Sequence, residues 1–330
     1  MKKSGAWSRF LLILIAFAVV ATIFLGFSEL EKIVNLIKSA NPFYLLLALL
    51  TQLFIYVFKA KVYQTALSLF GKKESVKSVL NTVLVALFIN RVFPSLGMSD
   101  NAYLITDFKK RGLPIGQAAL ISVIEVLSSF VVFSVLLFGS AIFLSFTENL
   151  QKWQVGLLVL TLTAVTVFWF VLFFILLRKA ILEKVVRQIL KISSFVFKHK
   201  IPTDGVTQNI EDVANGRGVV WQKKEKFLVM CFWQLLMPLF DSFTIFLIFA
   251  SIGVSVGYQV VLVALVFAVF LNTISLIPGG IGSFEAAMIL TLNSLKVPFE
   301  VAVTVTLMFR LFNYWMTIPL GFWFYRKKHL

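Results

Sequence analysis

The sequence predicts an all-α polytopic membrane protein, and three observations predict it. First, 59% of its 330 residues are hydrophobic and 14% are charged, against about 25% charged in a typical soluble domain. Second, apolar stretches recur at 10–27, 43–58, 117–146, 153–177, 227–251, 259–277 and 301–325. A helix needs about 20 mostly apolar residues to cross a hydrocarbon core roughly 30 Å thick. The runs are continuously apolar and lack the in–out alternation of barrel strands. Third, two Pro/Gly-broken segments of the same plan recur along the chain.

Each element follows in order. Lys2, Lys3 and Arg9 precede the first apolar run, which is 18 residues long and has no A-x-A site after it. A secretory h-region is shorter, about 7–15 residues, so an uncleaved first helix is expected. The net charge of +16 would suggest nucleic acid in a soluble chain, but here the positive residues sort by loop. Lys59, Lys61, Lys72, Lys73 and Lys77 follow the second span, and Lys109, Lys110 and Arg111 form a tight run. Eleven Lys and Arg lie from Arg178 to Lys226, and Arg326, Lys327 and Lys328 come last. The other connectors carry few: Lys32 and Lys38 in 28–42, Lys152 in 147–152, and none in 252–258. Positive-inside sorting therefore predicts an integral cell-membrane protein with both termini cytoplasmic and no nucleic-acid partner. Segment 179–226 reads as an amphipathic connector on the cytoplasmic face, with Ile181, Val185, Ile189, Ile192 and Phe195 near helical spacing. The whole chain reads as a single integral membrane domain.

Residues 93–105 and 277–289 match at an offset of 184, which pairs Pro94 with Pro278, Ser99 with Ser283 and Ala102 with Ala286. The same offset brings Pro114 onto Pro298 and Ala118 onto Ala302 without a gap. The repeat halves are about 79–146 and 259–325. The short segment 283–296 spans only about 21 Å at 1.5 Å per residue, and 99–111 is as short and more polar. Each is read as one arm of a re-entrant hairpin, at about 79–111 and 259–297. About six full spans then remain, near 10, 43, 117, 153, 227 and 301, and the two hairpins enter from opposite sides as an inverted repeat. Eight spans, with 259–277 and 283–297 both crossing, satisfy the charge sorting equally.

Charges inside apolar runs mark the candidate site. Glu125, Asp241, Glu285, Arg310 and Arg91 lie in or beside membrane segments, and Asp100 and Asn101 occupy the first copy's counterpart of the Glu285 region. Each such charge costs about 2.5–3.5 kcal/mol at a helix centre and calls for a partner or water. One reading is an ion pair of Glu125 with Arg310 that joins the halves and does nothing else. The other is a polar cavity for a charged headgroup, with Arg310 and Arg91 meeting phosphate. The breaks at 94–97 and 278–280 free backbone N–H groups at helix starts, where Gly280 and Gly282 suit an anion site and Ser99 and Ser283 are candidate caps. The same glycines also suit a tight reversal without any ligand. The lone Cys231 excludes an internal disulfide, and His199 and His329 have no ligand cluster or catalytic partner near them in sequence. No metal, cofactor or catalytic residue is expected.

The stretch F-P-S-L-G-M-S-D-N-A-Y-L-I-T-D-F-K-K-R-G-L-P at 93–114 with A-L-I-S-V-I-E at 119–125, and I-P-G-G-I-G-S-F-E-A-A at 277–287 with F-R-L-F-N-Y-W at 309–315, resemble the lysylphosphatidylglycerol synthase transmembrane region, or flippase-like domain, family. The resemblance covers the whole chain in outline and implies Gly280, Gly282, Glu285, Glu125 and Arg310 as motif positions. Ser99-Asp100-Asn101 departs from the Gly-Glu or second Gly of many members. The best-known members add a soluble aminoacyl-transferring domain. This chain stops at Leu330, so synthesis of an aminoacylated lipid is not expected from it alone.

The leading expectation is a lipid flippase-like transporter that moves a lipid, or a lipid-linked polar headgroup, past Arg310, Glu285, Glu125, Gly280, Gly282, Arg91, Asp241 and Ser283. Its partner would be a membrane lipid with an anionic or lipid-linked polar headgroup. Two alternatives come from other classes. One is a scaffold for a separately encoded lipid-modifying enzyme, which co-purification would reveal. The other is a membrane enzyme acting on phospholipid or polyprenyl-phosphate lipid, which conversion of a labelled lipid would reveal. No nucleotide-binding motif appears, so direct ATP use is not expected.

Overall fold

The computed structural model describes residues 27–93, 98–147, 156, 159, 162–167, 222–275 and 280–329. Among the described residues ten α-helices carry the fold. They are α1 (Phe27–Ser39), α2 (Pro42–Leu69), α3 (Val76–Val92), α4 (Met98–Lys110) and α5 (Ile115–Thr147), then α6 (Lys224–Ser251), α7 (Tyr258–Ser275), α8 (Ser283–Ser294), α9 (Phe299–Arg310) and α10 (Thr317–His329). No strand is found among the described residues. Local chemistry sets the starts. Asn41 accepts the Phe43 N–H at 2.9 Å with Pro42 in the first turn, and Ser75 caps α3.

α2 and α6 form the axis of the molecule. They pack antiparallel over their full length. Ser251 O accepts the Asn41 N–H at one end, Thr51 and Thr244 meet in the middle, and Lys223 and Lys226 donate to Leu69 O and Ser68 O at the other end. Phe58 stacks on Trp233 and meets Phe240 edge-on between them, a geometry that adds to simple burial.

Around this axis the two halves repeat each other's local structure. α2, α3, α4 and α5 are followed, in the same order and with similar lengths, by α6, α7, α8 and the α9–α10 rod. The turns match bond for bond. After α2, Gly71 has φ 75, and after α6, Gly253 has φ 73. Lys72 N–H donates to Leu67 O, as Val254 N–H donates to Phe249 O. After α4, Gly112 has φ 78, and its counterpart after α8 is Lys296 at φ 68. Leu113 N–H donates to Phe108 O, as Val297 N–H donates to Leu292 O. These are the six-to-one bonds of a left-handed helix stop. The offset is 182 before the breaks and 184 after them. The ungapped match therefore holds from the breaks onward, and the second break is two residues longer. Because equivalent helices α2 and α6 are antiparallel, the halves run in opposite directions.

Each half has its own core. One gathers the end of α2 with α3, α4, α5 and Met230 of α6, and the other gathers the end of α6 with α7, α8, α9 and Ala48 of α2. Ala48 and Met230 are themselves repeat counterparts. Exchange also occurs at the periphery, where α3 packs on α10 and α7 packs on α5.

α3–α4 and α7–α8 fold back as hairpins. Arg111 closes the first at its open end, donating to Glu74 at 2.6 Å and Asp107 at 2.8 Å and bonding to Ser78 and Thr82. Asn272 and Ser283 meet at 2.6 Å near the tip of the second. Five described helices are long and apolar enough to cross a membrane: Pro42–Leu69, Ile115–Phe146, Lys224–Ser251, Tyr258–Ser275 and Phe299–Lys327. Four coincide with the spans near 43, 117, 227 and 301. The fifth, α7, is the arm assigned to the second hairpin, and its 18 residues reach about 27 Å. The expected span near 10 and connector residues 179–221 lie outside the described residues, as does most of the span near 153.

Candidate functional site

Among the described residues, the sequence's candidate residues divide among three polar clusters inside the helical bundle. The first sits at the second break. Glu285, in the opening turn of α8, receives the Gly282 N–H at 2.7 Å and the Arg310 Nε–H at 2.6 Å. Arg310 also donates to Gly280 O at 3.3 Å, and its side chain is buried. Gly280 has φ 63, and a Cβ there would come within 2.2 Å of Asn272 Oδ1, so both conformation and space require glycine.

Two expectations change here. The helix start read as a site for an outside anion already holds the protein's own Glu285 carboxylate, aligned with the α8 dipole. Ser283 does not cap α8. The cap position is Gly282, and the Ser283 hydroxyl donates to Asn272 Oδ1. Ser99 likewise turns its hydroxyl to Phe93 O at 2.8 Å.

Arg91, from the end of α3 in the other half, reaches the same place. Its guanidinium carbon lies 4.3 Å from the Tyr314 ring centroid, and that of Arg310 lies 4.8 Å from the same ring. Arg310 also lies 4.9 Å from Phe284. The aromatic faces attract both cations. Glu285 neutralises Arg310. Arg91 has no carboxylate partner among the described residues, and its Nε is buried without a hydrogen bond. Tyr314 gains its position from the π-helical turn Leu311–Trp315, closed by Met316 N–H to Leu311 O. Pro319, four residues past Trp315, cannot donate to the Trp315 carbonyl. Such π turns favour functional positions.

The second cluster surrounds Asp241. Gln52 donates to Asp241 Oδ1 at 2.8 Å and to Thr244 at 3.0 Å, and Asn313 donates to the same carboxylate oxygen at 3.1 Å. The third surrounds Glu125, which pairs with Lys59 and accepts from Gln234 at 2.9 Å. Glu125 therefore does not pair with Arg310. α2 brings Lys59 to Glu125, and α8 brings Glu285 to Arg310. The second and third clusters are repeat counterparts in part: Gln52 corresponds to Gln234, and Lys59 to Asp241, at the offset of 182.

The structure thus unites Arg310, Glu285, Gly280, Gly282 and Arg91, places Ser283 beside them, and separates Asp241 and Glu125 into their own clusters. Sequence reading missed Tyr314, Asn313, Gln52 and Lys59. Tyr314 had a signal, since it lies four residues after Arg310 on one helix face. Gln52 and Gln234 had another, in their matched place in the repeat. Among the described residues no group of three metal-binding side chains occurs.

Buried charges on long apolar helices in an antiparallel repeat define a polytopic α-helical membrane protein. The family described as lysylphosphatidylglycerol synthase TM region matches residues 11–321, and the chain belongs to that family. It is 26% identical to a UPF0104 membrane protein of Methanocaldococcus jannaschii over 98% of this chain and 95% of the relative. It is 22% identical to one of Methanothermobacter thermautotrophicus (97% and 94%) and 23% identical to one of Pyrococcus horikoshii (95% and 95%).

Proposed function

We propose that this protein translocates a membrane lipid with an anionic headgroup, and that Arg91 and Arg310 receive that headgroup beside Tyr314. The observation that carries the reading is Arg91, which makes no ion pair with a carboxylate among the described residues, next to an Arg310 already paired with Glu285. A guanidinium held inside a membrane protein without a carboxylate is costly. A phosphate relieves that cost because it fits the guanidinium fork and neutralises it. The two arginines come from opposite halves, so a bound headgroup touches both. In inverted-repeat transporters the substrate site lies at the repeat interface, where broken helices meet. The hydrocarbon chains stay in an apolar environment during the transfer, and both termini face the cytoplasm.

The test is lipid translocation by the purified chain in vesicles with a fluorescent phosphatidylglycerol, read by dithionite quenching. Wild type is expected to expose label beyond the outer-leaflet half. A charge-assisted hydrogen bond contributes about 1.5–3 kcal/mol, so Arg91→Gln is expected to slow translocation about 10–100-fold with folding retained. Unchanged translocation in Arg91→Gln would refute the headgroup site.

A further inference from the structure

Between α5, α7 and the helical residues 162–167 lies a cavity of about 550 Å³. Ser134, Leu137, Val165, Val266, Phe270 and Thr273 are among the residues that line it, and no ionisable residue does. Ligand cavities span about 300–1,000 Å³, so its size is that of a binding site.

The repeat shows that the cavity is built into the sequence. Its counterpart is the contact between α3 and α10, and there the helices touch. A Cβ on Gly321 would lie 2.4 Å from Phe88 Cβ and 2.6 Å from Leu84 O. At the repeat offsets, Leu84, Phe88 and Gly321 correspond to Val266, Phe270 and Leu137, three residues that line the cavity. A leucine where the other half has glycine holds α5 away from α7. The space it leaves is apolar, and such space is unfavourable when empty and unattractive to water.

The surroundings select the occupant. Thr273 lies beside Asn272, which meets Ser283 and Gly280 at the second break. The space is therefore apolar along its length and ends near the polar cluster of Arg310. Ser134 also lines a shallow groove on the outer face of α5 with Val135, Phe138 and Ile142, which are 65%, 41% and 58% exposed. A chain can pass from that groove into the cavity without leaving hydrocarbon. A helix about 10–12 Å across would fill the space in little more than one turn, whereas a single extended chain fits it lengthwise.

We propose that the α5–α7 cavity holds one hydrocarbon chain of a membrane lipid. That its polar end reaches the second break rests on the headgroup reading above, and the chain site itself does not.

The test uses the full chain in vesicles with a phosphatidylglycerol bearing a photoactivatable diazirine on one acyl chain, followed by peptide mass spectrometry. Adducts are expected on Leu137, Val266 and Phe270. Val269→Trp, inside the cavity, and Ser134→Trp, at its rim, are each expected to lower them several-fold while adducts on Val135 and Ile142 persist. The rim variant keeps the test valid if the inner one does not fold. Adducts confined to the outer face, or cavity adducts unmoved by either tryptophan, would overturn the proposal. The same vesicles separate the two readings. Cavity adducts without translocation by wild type leave the chain site standing and overturn the transport reading. Translocation without cavity adducts does the reverse.

Discussion

Removing the Glu285 charge tests the geometry at the second break most sharply. Glu285→Gln keeps an oxygen for the Gly282 N–H but leaves Arg310 without its counter-charge. Charges about 4 Å apart attract by about 4 kcal/mol at an effective dielectric of 20. The Glu285 and Arg310 side chains are 21% and 9% exposed, so solvent screening reduces that to about 2–3 kcal/mol. Arg91 adds to the loss. Both guanidinium carbons approach one ring, so they lie at most roughly 9 Å apart and repel by about 2 kcal/mol or more. A double-mutant cycle with Glu285→Gln and Arg310→Gln, measured by SDS-driven unfolding in mixed micelles with Trp fluorescence, isolates the pair. The expected coupling is about 2–3 kcal/mol, with the double variant more stable than the sum of the single losses implies. A coupling under about 0.5 kcal/mol would refute the reasoning.

Three further outcomes follow from the same structure. Lys59→Met leaves the buried Glu125 carboxylate without its counter-charge and is expected to cost up to about 3 kcal/mol, largely restored by adding Glu125→Gln, in the same unfolding assay. Gly280→Ala forces a Cβ into Asn272 at a positive φ and is expected to destabilise by about 1–3 kcal/mol, read as a lower melting temperature in detergent. Lys296→Gly relaxes the left-handed stop that its counterpart Gly112 makes without strain, so the melting temperature is expected to rise by the equivalent of about 1 kcal/mol.

Much of the fold was legible because apolar length is a strong signal. The spans near 43, 117, 227 and 301 need only about 20 apolar residues each, and α2, α5, α6 and the α9–α10 rod supply them. The repeat was legible from Pro94, Pro278 and Ser283, yet its extension to α2 and α6 was not. Those helices share few identities, Gln52 with Gln234 among them, and their kinship shows chiefly in the matched stops at Gly71 and Gly253. The site was half legible. An apolar run makes Arg310 and Glu285 conspicuous, but hydropathy says nothing of which charges meet. Glu125 pairs with Lys59 because α5 packs on α2 and α6, a long-range outcome that local pattern does not encode. The spacing of four residues from Arg310 to Tyr314 was legible, but the π turn Leu311–Trp315 that carries Tyr314 was not.

Selectivity between lipids tests the central claim most directly. Vesicles holding the wild-type chain would carry fluorescent phosphatidylglycerol or fluorescent phosphatidylcholine, with translocation rates compared by dithionite quenching at one salt concentration. A headgroup site built on Arg91 beside Arg310 predicts faster movement of the anionic lipid, and loss of that preference in Arg91→Gln. Equal rates for both lipids, or a preference that survives Arg91→Gln, would contradict it.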